Sequence, residues 1–254
     1  AERGATVLLG VGFAQADAIS KVAAEFPDTK FSIIDVSWLD APNLRQYVFK
    51  EHEGSYLVGV AAALASQTNK VGFVGGMDIP LIRKFACGYV GGVKSVSGSA
   101  DVYQNMTGTT PSAWNDPGKG AELAKSQIDR GADVVYHAAG GTGVGVIQAA
   151  ADAGKLAIGV DSNQNGMAPG SVLTSMLKRV DVAAYETFKD AMGGSFSSGI
   201  KVLGVAEGGV DWAIDENNAS LITAEIKTAV EQARGDILSG KVVVHNYESD
   251  SNCP

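Results

Sequence analysis

Short apolar runs recur along the chain, spaced so that one helix fits between successive runs. They are Thr6–Gly12, Phe31–Val36, Tyr47–Phe49, Val71–Gly75, Val102–Met106, Val134–His137, Leu156–Asp161 and Val172–Leu177. None alternates with polar residues, which predicts strands buried on both faces, as in a parallel sheet covered by helices. The segments between them carry apolar residues at helical spacing. Ala18, Val22 and Phe26 share one face, and Leu57, Val60, Ala61 and Leu64 share the next. Ile82, Ala86, Tyr89 and Val93 continue the pattern, followed by Leu123 with Ile128, and by Val146, Ile147 and Ala150. Such a βαβ succession predicts an α/β fold of doubly wound sheets with right-handed crossovers.

So many strands fit two sheets better than one. The polar turn Gln67-Thr68-Asn69-Lys70 marks a break just before a fresh strand. We therefore expect a first lobe from residues 1–68 plus about 178–200 and a second from 69–177, with no lobe assigned to 201–254. After Lys178 the rhythm changes. A helix Val180–Met192 leads into a Gly/Ser-rich turn (193–199), short strands near Val202–Val205 and Val210–Ile214, a helix Thr223–Ser239 and a terminal strand Val242–Val244. The opening Ala1-Glu2-Arg3-Gly4-Ala5 reads as a helix tail closed by Gly4, so residues are expected to precede it.

Charge narrows the partners. Lys plus Arg is 20 and Asp plus Glu is 28, a net charge of -8. Nucleic-acid binding needs a basic face, so a nucleic acid is not expected as the main partner. No apolar run approaches the roughly 18 residues of a spanning helix. His52, His137 and His245 are isolated, which makes a metal site a poor expectation. Cys87 and Cys253 have no metal spacing, and whether they are separate thiols or a bridge is left open.

In open α/β sheets ligands bind beyond the carboxyl ends of the strands. The tips there carry Gly10-Val11-Gly12-Phe13, Asp35, Gly75-Gly76-Met77-Asp78, Trp114-Asn115-Asp116, Tyr136-His137 running into Gly140-Gly141-Thr142-Gly143, Asp161-Ser162-Asn163 and Ser175 to Lys178. Aromatics, carboxylates, amides and bare backbone together suit a small-molecule pocket. Gly10, Gly12 and Asp35 approximate a dinucleotide fingerprint, but its third glycine is replaced by Gln15. Gly140–Gly145 opens a helix without the Lys-Ser/Thr of a phosphate loop, and reads better as a tight turn beside a neutral ligand. No G-x-S-x-G elbow is present. His137 reads as structural. Asp35 and Asp161 suit acceptance of hydrogen bonds from ligand hydroxyls better than acid/base work. No catalytic residue and no cofactor are expected.

Val71-Gly72-Phe73-Val74-Gly75-Gly76-Met77-Asp78-Ile79-Pro80 resembles the central signature of the basic membrane protein family, the purine nucleoside receptors of ABC importers. Four further segments agree, in family order: Phe49–Ser55, Ala138–Gly145, Gly159–Gln164 and Leu173–Asp181. The resemblance implies a type I periplasmic-binding-protein fold, two Rossmann-like lobes with parallel sheets joined by a hinge and closing on ligand. It implies an exported, periplasmic or cell-envelope protein that hands a purine nucleoside or nucleobase to a membrane permease. By the same resemblance Asp161 holds ribose hydroxyls, Lys178 donates to the same sugar, and Asp35 accepts from base or sugar. Trp114 and Tyr136 are the candidates to stack on the purine, with Phe13, Met77 and Gly140 completing the wall. The family begins with two βα units that this sequence does not contain. A precursor with roughly 60 more residues is expected, and any lipid-anchoring Cys would lie there. A sensor of the same fold is the main alternative, with an NAD- or sugar-dependent enzyme behind it.

Overall fold

The computed structural model describes residues 1–253. Its strands are β1 (Val7–Gly10), β2 (Lys30–Ile34), β3 (Leu44–Phe49), β4 (Lys70–Met77), β5 (Asp101–Gly108), β6 (Val134–Ala138), β7 (Leu156–Asp161), β8 (Val172–Lys178), β9 (Gly199–Leu203) and β10 (Val210–Trp212). Its helices are α1 (Ala16–Glu25), α2 (Glu51–Ala65), α3 (Pro80–Val96), α4 (Pro117–Asp129), α5 (Gly143–Asp152), α6 (Val180–Met192) and α7 (Ala224–Leu238). Two units form. The first holds Ala1–Lys50 with Arg179–Gly209, and the second holds Glu51–Lys178 with Val210–Pro254.

The first unit is built on a four-stranded parallel sheet, β1-β2-β3-β9. Phe31, Ile33 and Leu44 are buried against Ala16 and Ala23 of α1, with Ile19, Val22 and Phe26 beside them. Ala18, expected on this face, is exposed instead, because the helix turns Ala16, Ile19 and Ala23 toward the sheet. On α6, Thr187 Oγ1 donates to Ser32 Oγ at 3.0 Å. Strand β3 starts three residues earlier than its apolar run. Arg45 and Gln46 are buried there because each is fully engaged. Arg45 donates to Ser197 O and Asp190 Oδ2 and lies over the Phe196 ring. Gln46 makes a two-way pair with the Leu39 backbone.

The second unit is built on a six-stranded sheet, β10-β8-β7-β6-β4-β5, parallel except for β10. Helix α2 is buried over most of its length and packs backbone-close on α3. A Cβ at Gly88 would strike the His52 backbone, and one at Gly92 would strike Tyr56 O. This packing places α2 in the second unit, so the division falls at Lys50–Glu51 rather than at the 67–70 turn, and the 201–254 segment is shared. Val74, Val135 and Val146 form one core cluster, and Ile147, Ala157 and Val172 another. Residues expected as a terminal strand, 242–244, pair with no strand. Val242 N–H caps α7 at Asp236 O instead, and Val243 is exposed. The tail then returns to α3, where Cys253 is joined to Cys87 by a disulfide.

Candidate functional site

Chain order and spatial order disagree at one place in the larger sheet. From β4 the chain passes outward to β5, then returns to the other side of β4 as β6. The segments leaving β4 and β6 therefore diverge, which opens a crevice at their carboxyl ends. Trp114 occupies that place. It ends a 3-10 turn, Pro111–Trp114, that follows β5. A Cβ at Gly76 would collide with its ring, and one at Gly140 would lie 3.6 Å from it. Thr142 fixes the turn from both sides: its Oγ1 donates to Ala113 O at 2.8 Å and accepts from Asp116 N–H at 2.7 Å. Trp114 and Met77, the last residue of β4, are both half-buried. The glycines after β6 serve close approach: Gly140 and Gly141 to Trp114, Gly143 to the His137 ring, Gly145 to the Pro117 backbone.

Asp161 ends β7, the neighbour of β6, and is exposed. Its φ is +65°, and Ser162 N–H donates to Val160 O at 2.8 Å across it. A three-residue turn of this hand is strained, by roughly 1–3 kcal/mol for a non-glycine residue. Just behind it, Gln164 Oε1 accepts from Val160 N–H at 2.9 Å and lies 3.0 Å from His137 Nε2. Burial holds the His137 ring neutral, its pKa lowered to about 4.

Lys178, at the end of β8, is buried, and its Nζ lies 3.0 Å from Glu51 Oε1. Lys84 Nζ lies 2.9 Å from the other oxygen, Glu51 Oε2, and 3.1 Å from Glu248 Oε2. Burial alone would raise the Glu51 pKa, but Lys178 and Lys84 together bring it below its ordinary value. Nothing in the sequence joins Glu51 to these lysines; an acidic residue in the first turn of a helix is ordinarily explained by the helix dipole.

Tyr136 lies in the core, near enough to Asp161 and Glu51 for their charges to act on its hydroxyl. It is fully buried in the second unit, with its ring 5.4 Å from Phe73 and 5.2 Å from Tyr89, and its hydroxyl 3.2 Å from Ser55 Oγ. With no exposed surface, the ring presents no open face to a ligand, which corrects its expected role in stacking. In the first unit, Asp35 follows β2 with a φ of +64°, close to the φ of Asp161 at the end of β7. Phe13 follows β1 in a short turn and packs half-buried against the α1 core. Gln15, at the position a dinucleotide site needs as glycine, folds back to donate to Val11 O.

Residues 1–246 match the family described as ABC transporter substrate-binding protein PnrA-like. The chain belongs to this family. It is 37% identical over 261 residues to the ABC transporter nucleoside-binding protein BmpA of Lactococcus lactis, covering 96% of this chain and 72% of the relative. A CD4+ T-cell-stimulating antigen of Listeria monocytogenes is 34% identical, with 94% and 70% covered. Among solved structures, an ABC transporter solute-binding protein from Aeropyrum pernix superposes with a TM-score of 0.85 at 28% identity, covering 96% of this chain and 80% of that one. The family's fold, the two-lobed α/β periplasmic-binding fold with parallel-rich sheets, is therefore the fold of this chain. No helix among the described residues is long and apolar enough to cross a membrane.

Proposed function

We propose that this family member binds a purine nucleoside reversibly, with no bond made or broken, and serves the membrane permease of an ABC importer. The observation that carries this reading is Trp114 seated at the crossover of the larger sheet, one strand away from the exposed carboxylate of Asp161. A flat heterocycle stacks on an indole, contributing on the order of 1 kcal/mol. A carboxylate accepts two hydroxyls at once, which suits the vicinal diol of a ribose. Met77 and Gly140 flank the ring, and Lys178, already balanced by Glu51, donates to the sugar. Tyr136, itself part of β6, stays within the core. The nucleoside-binding name of the Lactococcus lactis relative supports the same ligand class.

Calorimetry with adenosine, guanosine, inosine, adenine and ribose tests the reading. We expect the nucleosides to bind more tightly than adenine or ribose, and bound adenosine to be recovered chemically unchanged. Recovery of free base and sugar would refute the receptor role, and failure of every nucleoside to bind would refute the ligand class.

A further inference from the structure

The turn that presents Asp161 is strained, so something must hold it. Gln164 Oε1 accepts from Val160 N–H at 2.9 Å. A backbone N–H only donates, so this bond fixes which end of the Gln164 amide is the oxygen. The same oxygen lies 3.0 Å from His137 Nε2, and an oxygen without a proton obliges that nitrogen to donate. The imidazole proton therefore sits on Nε2, which leaves Nδ1 bare and buried without a hydrogen-bond partner. Two glycines make room for this arrangement. At Gly159 a Cβ would lie 2.8 Å from the Gln164 side chain, and at Gly143 one would overlap the His137 ring. Gln164 N–H donates to Ser175 Oγ at 2.9 Å, and that hydroxyl donates to Asn165 Oδ1 at 2.8 Å. Asn163 and Asn165 both donate to Asp215 Oδ2. The chain is thus tied down on both sides of Asp161.

We propose that Gln164, backed by His137, is the positioning residue that holds Asp161 in its left-handed turn, and so sets selectivity for ligands with sugar hydroxyls without touching them. This rests on the reading of Asp161 as the ribose contact. Gln164 acts as a doubly accepting oxygen that staples Val160 N–H to the imidazole; His137 supplies a fixed donor that stops the amide from rotating away.

The test uses the full chain with adenosine and 2′,3′-dideoxyadenosine as probes, which share base and ring but differ in hydroxyls. Gln164→Leu should lower adenosine affinity by about tenfold or more with little change for the dideoxy compound. Gln164→Glu keeps both acceptor functions and should restore adenosine binding to within about threefold of the unsubstituted protein. His137→Leu, which spares the Val160 bond, should shift affinity in the same direction as Gln164→Leu but less. The imidazole nitrogen spectrum of the unsubstituted protein should show the proton on Nε2; a proton on Nδ1 would overturn the proposal even if a variant does not fold. Asp161→Ala run alongside separates the two ideas. Should it distinguish the probes while Gln164→Leu does not, the positioning role is wrong and the ribose contact stands. Should Asp161→Ala not distinguish them, the ribose contact is wrong and the positioning role goes with it.

Discussion

Glu51 Oε1 lies 3.0 Å from Lys178 Nζ, with both side chains almost fully buried. Lys84 sits on the opposite oxygen of the same carboxylate. Removing the shared anion leaves two buried cations facing each other, and breaking a buried pair in this way costs about 3–5 kcal/mol. Glu51→Gln should therefore lower the urea midpoint by a corresponding amount. Because the folded-state pKa of Glu51 is lowered, its stabilisation is present above the ordinary carboxylate value of 4.5 and is lost as pH falls through the folded value. Acid titrations followed by circular dichroism should show a shallower loss of stability below pH 4.5 in Glu51→Gln than in the parent.

His137 gives a second acid-sensitive window. Burial lowers its pKa from 6.5 to about 4, with the Gln164 bond opposing. Between those values the unfolded chain takes up a proton that the folded chain refuses. Stability should thus fall as pH drops from 6.5 toward 4, by about 3 kcal/mol over the whole window. His137→Gln should flatten the slope of unfolding free energy against pH in that interval and leave it unchanged above pH 7.

The Cys87–Cys253 bridge closes a loop across 166 positions of sequence. Long loops gain most from closure, and native bridges contribute about 2–5 kcal/mol. Thiol titration of the unreduced, urea-unfolded protein should find no free thiol. Dithiothreitol, or Cys253→Ser, should lower the melting temperature. It should also loosen Glu248 from Lys84, since both tail contacts lie on α3.

Gly76→Ala probes the crossover pocket directly. The added methyl would occupy space filled by the Trp114 ring, so the indole must move. We expect a shifted Trp114 emission maximum and a loss of nucleoside affinity by about tenfold. Unchanged emission with unchanged binding would remove Trp114 from the site.

The sequence carried the alternation of helices and strands, because runs such as Val134–His137 and Leu156–Asp161 are apolar on both faces. It also carried the strand-end residues, since the chain order of βαβ units dictates which residues follow each strand. What it hid is pairing between distant polar groups. Arg45 and Gln46 look like loop residues until Asp190, Ser197 and Leu39 are seen to satisfy them. Glu51 and Gln164 look like ordinary polar positions until Lys178 and His137 arrive from other elements. Tyr136 misled for the opposite reason. An aromatic near a strand tip can face ligand or core, and only the placement of Phe73 and Tyr89 decides between them.

The polypeptide passes between the two units three times, at Lys50–Glu51, Lys178–Arg179 and Gly209–Val210. A protease nick at any one of these passages leaves the units linked by two intact peptide segments. Electrophoresis would nevertheless tell the three apart. After cleavage at either of the later passages, the fragments carrying Cys87 and Cys253 remain one covalent molecule until reductant is added. Cleavage at the first passage sheds a light band with or without reductant, because Ala1–Lys50 contains neither sulfur of the bridge and is held by non-covalent contacts such as the ladder between β3 and β9 and the Arg45–Asp190 ion pair.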